Sequence, residues 1–306
     1  MTRVAALAAA AWLVVGLAGA WGYGQRYADY RGFTPPKAPA GTPLGVTRTV
    51  GYWSPALHAR SRFLIHLPAG YPRGGPYPVL YVLHGHPGKA VDILRAGAIG
   101  TDLDTLVAEH RVRPMILVMP EVTTGPERGG DTEWADTPYG RYDAAVADVV
   151  HAVDAHFDTR KDRAGRVLAG LSSGAYGATN VTLHHLRLFG GFQSWSGYYV
   201  QSPTGVFAGA GRAELAANSP LLYVHRVARR IHRLGLHAFV YVGAQDHLAR
   251  VVQLPEFVAA LRATGVHVRT AIYPGRHDWA LWRREMPSAL EVASRWFSGS
   301  SAARAG

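Results

Sequence analysis

Short, uninterrupted apolar runs recur along the chain and predict the interior strands of a sheet. Two clear examples are residues 79–83 and residues 115–119, the second of which ends at Pro120. A strand that is apolar at every position is typical of a parallel sheet covered on both faces. Further strands are predicted over residues 62–67, 166–170, 192–195, 238–242 and 268–273.

Between these runs, apolar residues recur at helical spacing. Residues 142–157 place Ala145, Val146, Val149 and Val153 on one face of a helix. Further helices are predicted over residues 102–110, 220–234, 255–262 and 285–297, and from residue 171 to 186. Strands that alternate with helices predict the α/β class, with a mostly parallel central sheet and helices on both of its faces. Reactive groups in such folds collect at the carboxyl ends of the strands.

The N-terminal segment has a different pattern. Arg3 precedes an uncharged, largely apolar run over 4–24, which predicts an apolar helix long enough to cross a bilayer. Ala18, Gly19 and Ala20 resemble a signal-peptidase site. We therefore interpret residues 1–24 as a signal peptide or a membrane anchor.

The rest of the chain divides at changes in composition. Residues 25–45 are rich in Pro and Gly and predict a linker. Residues 46–298 form the predicted catalytic domain, and 299–306 a flexible tail. With the N-terminal segment, this organisation predicts an extracytoplasmic protein that is secreted or anchored to the outer face of the plasma membrane. The membrane is a partner if that segment is not cleaved.

Charge narrows the range of partners. The chain of 306 residues has 32 Lys and Arg against 21 Asp and Glu, a net charge of +11. These basic residues are scattered, whereas nucleic-acid-binding proteins concentrate them in a stripe or a tail, so no nucleic-acid partner is predicted. The charge favours attraction to an anionic envelope surface, although a bias towards Arg codons explains it equally well. The absence of cysteine excludes disulfides, thiolate metal sites and cysteine nucleophiles.

A G-x-S-x-G motif provides the candidate nucleophile. Gly170, Ser172 and Gly174 follow a predicted strand and open a predicted helix, which is the context in which this motif exposes a reactive serine. The helix N-terminus also favours negative charge at that point. Ser172 is thus the predicted nucleophile, and a structural glycine turn is the alternative.

Serine needs a base to take its proton, and the order along the chain in this fold is serine, acid, histidine. Asp246 lies just past the strand over 238–242, and His277 lies in a loop past the next strand. They are the predicted acid and base. Asp278 and Glu256 are alternatives for the acid, and a helix N-cap is the structural alternative for Asp246.

The loop after strand 79–83 is the candidate site for binding an oxyanion. Gly85 allows a turn that directs the backbone N–H of His86 to the serine, and the N–H of Ser173 is the predicted second donor. A metal pair of His84 and His86 lacks a third ligand, so no metal is predicted, and His84 is expected to brace the loop by hydrogen bonds.

Four aromatic residues close to the predicted site are candidates for lining an acyl or aryl pocket, with packing in the core as the alternative. They are Tyr176, Trp195, Trp279 and Trp282.

Several segments together resemble a family of esterases that includes esterase D, the feruloyl esterases and the mycolyltransferases. These segments, in order, are residues 77–85, 118–120, 169–177, 194–197 and 275–282. The last reads Gly-Arg-His-Asp-Trp-Ala-Leu-Trp and is similar to the C-terminal histidine signature of that family. The resemblance spans residues 47–297.

The resemblance implies an α/β-hydrolase fold and carboxylic-ester chemistry with no metal or organic cofactor. By matching position it implies Ser172, Asp246 and His277 as the triad. The chain departs from the family at Ser173, where methionine is usual, and at Ala175, where many members have glycine. Gly174 and Asp246 point away from the mycolyltransferases, which lack that glycine and use glutamate.

The expected function is that of an exported serine esterase, acting through an acyl-enzyme on a small-molecule or lipid ester. An acyltransferase that passes the acyl group to an envelope alcohol is the nearest alternative. A peptidase on the same fold and a non-catalytic envelope-binding module are two others.

Overall fold

An eight-stranded sheet runs through the protein, in a computed structural model that describes residues 36–121 and 132–302. Its strands lie in the order β1-β2-β4-β3-β7-β8-β9-β10. Their bounds are β1 Val46–Ser54, β2 Ala59–Leu67, β3 Val79–Leu83, β4 Ile116–Glu121, β7 Arg166–Leu171, β8 Gly191–Trp195, β9 His237–Gly243 and β10 His267–Tyr273. A separate hairpin pairs β5 Asp136–Thr137 with β6 Gly140–Arg141.

The central strands of the sheet run in one direction. β4, β3, β7, β8, β9 and β10 run parallel to one another, while β1 and β2 form an antiparallel edge in which β2 is antiparallel to β4. The prediction of a mostly parallel sheet is therefore confirmed. Because the parallel strands end at the same edge, the loops that follow β3, β7, β9 and β10 lie together.

Helices cover both faces of the sheet, as the apolar strands predicted. The helices are α1 Ala90–Arg95, α2 Ile99–Ala108, α3 Tyr142–His156, α4 Ser173–His184, α5 Arg212–Ala217, α6 Pro220–Tyr223, α7 Ala228–Leu234, α8 Leu248–Ala263 and α9 Trp279–Ala302. Leu80 and Val82 face one side of β3 and pack with residues of α1, α2 and α9. Tyr81 and Leu83 face the other side and pack with residues of α3 and α4. This alternation within one strand requires apolar residues at every position.

The structure differs from the sequence prediction mainly at the edges. β1 is not predicted, because an edge strand that is largely exposed carries no continuous apolar run. Pro120 does not end β4: it pairs with Phe63 of β2, beyond the last pair of β4 with β3, where a missing N–H is tolerated. The single helix predicted over 220–234 is divided into α6, a 3₁₀ turn and α7. α9 continues to residue 302, four residues into the predicted tail.

The predicted N-terminal helix and most of the predicted linker lie outside the described residues. Within the described part of the chain, none of the helices combines the length and hydrophobicity that crossing a membrane requires.

Candidate active site

Ser172 lies at the sharp turn between β7 and α4. Its backbone is in a strained conformation, with φ 57° and ψ −122°, which a non-glycine residue adopts at a cost of about 1–3 kcal/mol. The turn is held because the Ser172 N–H donates to the Trp195 carbonyl at 3.0 Å. Crowding explains the flanking glycines: a Cβ at Gly170 or Gly174 would collide with backbone atoms.

We expect Gly174→Ala to destabilise the protein by about 1–3 kcal/mol and to lower its activity strongly, because the new methyl group would lie 2.5 Å from the His84 carbonyl oxygen. Chemical denaturation and turnover of a p-nitrophenyl ester would measure both effects. Gly51→Ala is the matched control, since a Cβ there meets its nearest neighbour at 3.9 Å. Equal stability of the two variants would contradict this account of the turn.

His277 and Asp246 complete a continuous hydrogen-bonded chain with this serine. His277 Nε2 lies 2.8 Å from Ser172 Oγ, and His277 Nδ1 lies 2.9 Å from Asp246 Oδ2. The other carboxylate oxygen of Asp246 accepts the His247 N–H at 2.5 Å. The Asp246 side chain has no exposed surface, whereas that of His277 is 19% exposed. The structure thus brings the three predicted residues together, with the acid buried and the base open to the surface.

The loops after β9 and β10 are tied to each other, which accounts for the meeting of acid and base. The Gln245 N–H donates to the Gly275 carbonyl at 2.9 Å, and the Gly275 N–H donates to Gln245 Oε1 at 2.7 Å. The φ of 143° at Gly275 favours glycine there. Sequence reasoning missed Gln245, because its partner lies 30 residues further along the chain and no local pattern signals the contact.

The two alternatives for the catalytic acid, Asp278 and Glu256, lie in different surroundings. Asp278 Oδ1 accepts the Leu281 N–H at 3.0 Å, as a residue that caps the start of α9 does. Glu256 is exposed on α8. Asp246 lies one residue before His247, the N-cap of α8, and accepts the N–H of His247, so it is not itself the helix cap that was the structural alternative.

The loop after β3 lies directly against Ser172. A Cβ built at Gly85 would be 2.9 Å from Ser172 Cβ, so any side chain there would disturb the serine. The loop closes as a turn in which the Gly88 N–H donates to the Gly85 carbonyl at 2.7 Å, and His86 lies exposed within that turn. His84 Nδ1 lies 3.0 Å from the Gly85 carbonyl oxygen, a contact of the bracing kind predicted for this residue.

Ser173 is the first residue of α4. The leading N–H groups of a helix have no partner inside the helix, so the Ser173 N–H points out at the end where Ser172 stands. In the part of the chain that the structure describes, no group of three or more His, Asp or Glu side chains could hold a metal ion.

The model of the family described as "Putative esterase" matches residues 54–292, most of the chain. The chain belongs to this esterase family.

The chain also has individual relatives. It is 27% identical over 157 residues to an endo-1,4-beta-xylanase/feruloyl esterase of Xylanibacter ruminicola, a match covering 48% of its own length and 21% of the relative. It is 28% identical over 159 residues to an esterase of Mycobacterium tuberculosis, covering 49% of its own length and 30% of the relative. The chain thus spans less than a third of the length of each of these relatives.

Solved structures show which fold the chain has. A ferulic acid esterase superposes with a TM-score of 0.72 at 25% identity, covering 83% of this chain and 99% of the other. An S-formylglutathione hydrolase of Staphylococcus aureus superposes with a TM-score of 0.67 at 18% identity, covering 82% and 99%. Together with the sheet described above, these matches confirm the α/β-hydrolase fold.

The aromatic residues predicted to line a pocket are buried. Trp195 has no exposed surface, because β8 is an interior strand covered on both faces, and its indole N–H donates to Gln193. Tyr176 is equally buried: its ring stacks on Tyr198, and its hydroxyl donates to the Asn218 carbonyl at 2.7 Å. Burial raises the pKa of this hydroxyl well above its ordinary value, which keeps it protonated as a donor. The prediction that Trp195 and Tyr176 line an open pocket is therefore wrong.

The two tryptophans in the first turn of α9 pack beside His277. Trp282 is 6% exposed, and its ring meets that of His277 edge-on at 4.9 Å between centroids. Its indole N–H donates to Ser196 Oγ at 3.2 Å, which fixes the ring in place. Trp279 is 4% exposed and packs edge-on against Trp282 at 5.4 Å. These rings support His277, and little of their surface remains exposed.

Proposed function

We propose that this protein is a serine esterase that hydrolyses carboxylic esters through an acyl-enzyme on Ser172. The unbroken chain of contacts from Asp246 through His277 to the Ser172 hydroxyl, at 2.9 Å and 2.8 Å, is the observation that carries the proposal. Such a chain converts a weakly nucleophilic hydroxyl into a reactive one, because the proton has an acceptor already in position.

In the first step, Ser172 Oγ bonds to the ester carbonyl carbon while its proton passes to His277 Nε2. The resulting imidazolium keeps its Nδ1–H on Asp246, whose buried carboxylate stabilises the positive charge and fixes the ring orientation. The carboxylate cannot swing away readily, since its second oxygen is held by the His247 N–H.

The carbonyl oxygen becomes negatively charged in this step and needs donors that are already oriented. The N–H groups of His86 and Ser173 are the proposed donors, because the β3 loop lies against Ser172 and Ser173 begins α4. Losing one such donor typically lowers the rate by about 10²–10³-fold. The positive end of the α4 dipole adds to the stabilisation.

His277 then gives its proton to the departing alcohol, and the acyl group remains on Ser172 as the acyl-enzyme. A water molecule then gives a proton to His277 and bonds to the acyl carbon. His277 passes that proton to Ser172 Oγ as the bond from Oγ to the acyl carbon breaks, so the carboxylic acid leaves and the hydroxyl and the neutral imidazole are restored. An alcohol that replaces this water would receive the acyl group instead, so product analysis with added glycerol distinguishes hydrolysis from transfer.

Relatives suggest the first substrates to test. Because some of them are described as feruloyl or ferulic acid esterases, we propose esters of small aromatic acids, including hydroxycinnamic acids, as the substrate class. Export, attachment to the membrane and attraction to an anionic envelope remain predictions from the sequence.

A fluorophosphonate probe tests whether Ser172 is the nucleophile. We expect one covalent adduct per chain, mapped to the peptide that contains Ser172, because only an activated serine displaces the fluoride. Protein unfolded in guanidinium is the control and should remain unlabelled. A folded protein that takes up no probe would favour a binding module without catalysis, and faster turnover of peptides than of p-nitrophenyl esters would favour a peptidase.

A further inference from the structure

The indole of Trp134 holds the loop that follows β3. Its Nε1–H donates to the His84 carbonyl at 3.1 Å, and its ring meets the His84 ring edge-on at 4.9 Å between centroids. Trp134 is 1% exposed and His84 is half-buried, so this partly buried hydrogen bond holds the backbone just before Gly85. A hydrogen bond of this kind contributes about 0.5–1.5 kcal/mol, so it favours one position of the loop.

The surroundings of Trp134 keep the indole in place. A Cβ at Gly177 would lie 2.5 Å from Trp134 Cβ, so this glycine on α4 leaves the space that the tryptophan occupies. Glu133 and Trp134 both have left-handed backbones, with φ of 52° and 51°. Two consecutive non-glycine residues in this conformation cost about 1–3 kcal/mol each, and the surrounding contacts must hold them there.

The His84 carbonyl connects this tryptophan to the reacting atoms. It lies between the Trp134 indole and the start of α4, where a Cβ at Gly174 would be 2.5 Å from its oxygen. A peptide group is planar, so fixing this carbonyl also fixes the orientation of the Gly85 N–H. The next peptide is oriented in turn by its own carbonyl, that of Gly85, which accepts the Gly88 N–H at 2.7 Å. That next peptide carries the N–H of His86.

We propose that Trp134 is a positioning residue for the oxyanion donor of the β3 loop. This inference rests on the proposed esterase function. Trp134 acts through the His84 carbonyl rather than by touching the substrate. Its indole N–H keeps the His86 N–H directed at the oxyanion, which exists only after Ser172 has attacked. Losing the indole N–H should therefore lower kcat and leave KM nearly unchanged.

Trp134→Phe tests the proposal, because it retains an aromatic ring and removes the N–H. We expect kcat for p-nitrophenyl acetate to fall about tenfold, less than for outright loss of a donor, with KM within about a factor of two. The affinity for an aryl trifluoromethyl ketone should fall by the same factor as kcat, because its hemiketal on Ser172 carries an oxyanion. If Trp134 only stabilised the fold, kcat and the affinity for this inhibitor would not fall by the same factor.

Trp296→Phe is the matched control, since Trp296 is half-buried and stacks on His237 at the start of β9, far from the β3 loop in the fold. If Trp134→Phe lowers the melting temperature, 3-benzothienylalanine at position 134 replaces the N–H by sulfur with the ring shape kept. Unchanged kcat and inhibitor affinity in the variant that folds normally would overturn the inference. Full activity of a Ser172→Ala protein would instead overturn the proposed function itself.

Discussion

Ser172→Ala should lower kcat/KM for p-nitrophenyl esters by about 10⁴–10⁶-fold, the range expected when the nucleophile of a hydroxyl–imidazole–carboxylate system is removed. The fold should be unaffected, because the Ser172 N–H still bonds to Trp195 and the hydroxyl gives up its hydrogen bond to the partly exposed His277. Steady-state kinetics and thermal unfolding of the purified variant measure the two effects.

Ser288→Ala is the matched control for this substitution. Ser288 lies partly exposed on α9, where alanine suits the helix, so both activity and melting temperature should stay near those of the unaltered protein. Ester turnover that survives in Ser172→Ala at more than about a tenth of the original rate would refute Ser172 as the nucleophile.

Asp246→Asn should produce the second largest loss, about 10⁴-fold in kcat. The carboxylate oxygen that faces His277 Nδ1 holds the ring in the tautomer whose Nε2 can accept the serine proton. An amide cannot stabilise the imidazolium, and its NH₂ can force the opposite tautomer. Kinetics at saturating ester, with circular dichroism to check the fold, measure the effect.

Asp278→Asn separates the two aspartates that lie near the base. Asp278 accepts the Leu281 N–H at the start of α9, and asparagine serves that purpose equally well. We expect this variant to keep most of its activity. A loss as large as that of Asp246→Asn would mean that the acid has been assigned to the wrong residue.

The sequence predicted the parts of the molecule that depend on local pattern. Val79–Leu83 is apolar throughout because both of its faces are covered, and β3 has the predicted bounds. Ser172 could be found because G-x-S-x-G stands between a strand and a helix. Asp246 and His277 could be found because parallel strands bring successive loops to one edge.

Features that depend on contacts between distant segments escaped prediction. Trp134 meets His84 across 50 residues of sequence, and the space for it depends on Gly177, so no pattern around Trp134 reveals its position. The prediction that Trp195 and Tyr176 line a pocket depends only on how near they lie in the sequence to the predicted site residues. Burial depends on which face of the element is covered, which the position along the chain does not reveal.

The end of β8 lies between Ser172, the proposed nucleophile, and the proposed acid and base, Asp246 and His277. On one side, the Ser172 N–H is fixed to the Trp195 carbonyl; on the other, the Ser196 N–H is fixed to the Tyr241 carbonyl of β9. The position of the nucleophile therefore depends on β7, whereas the positions of the acid and base depend on the linked loops that follow β9 and β10. Substitutions that change the packing around Trp195 would alter the distance between the Ser172 hydroxyl and the His277 imidazole. The geometry within β7 and within the linked loops would stay the same, so the turnover rate would depend on a residue inside the sheet.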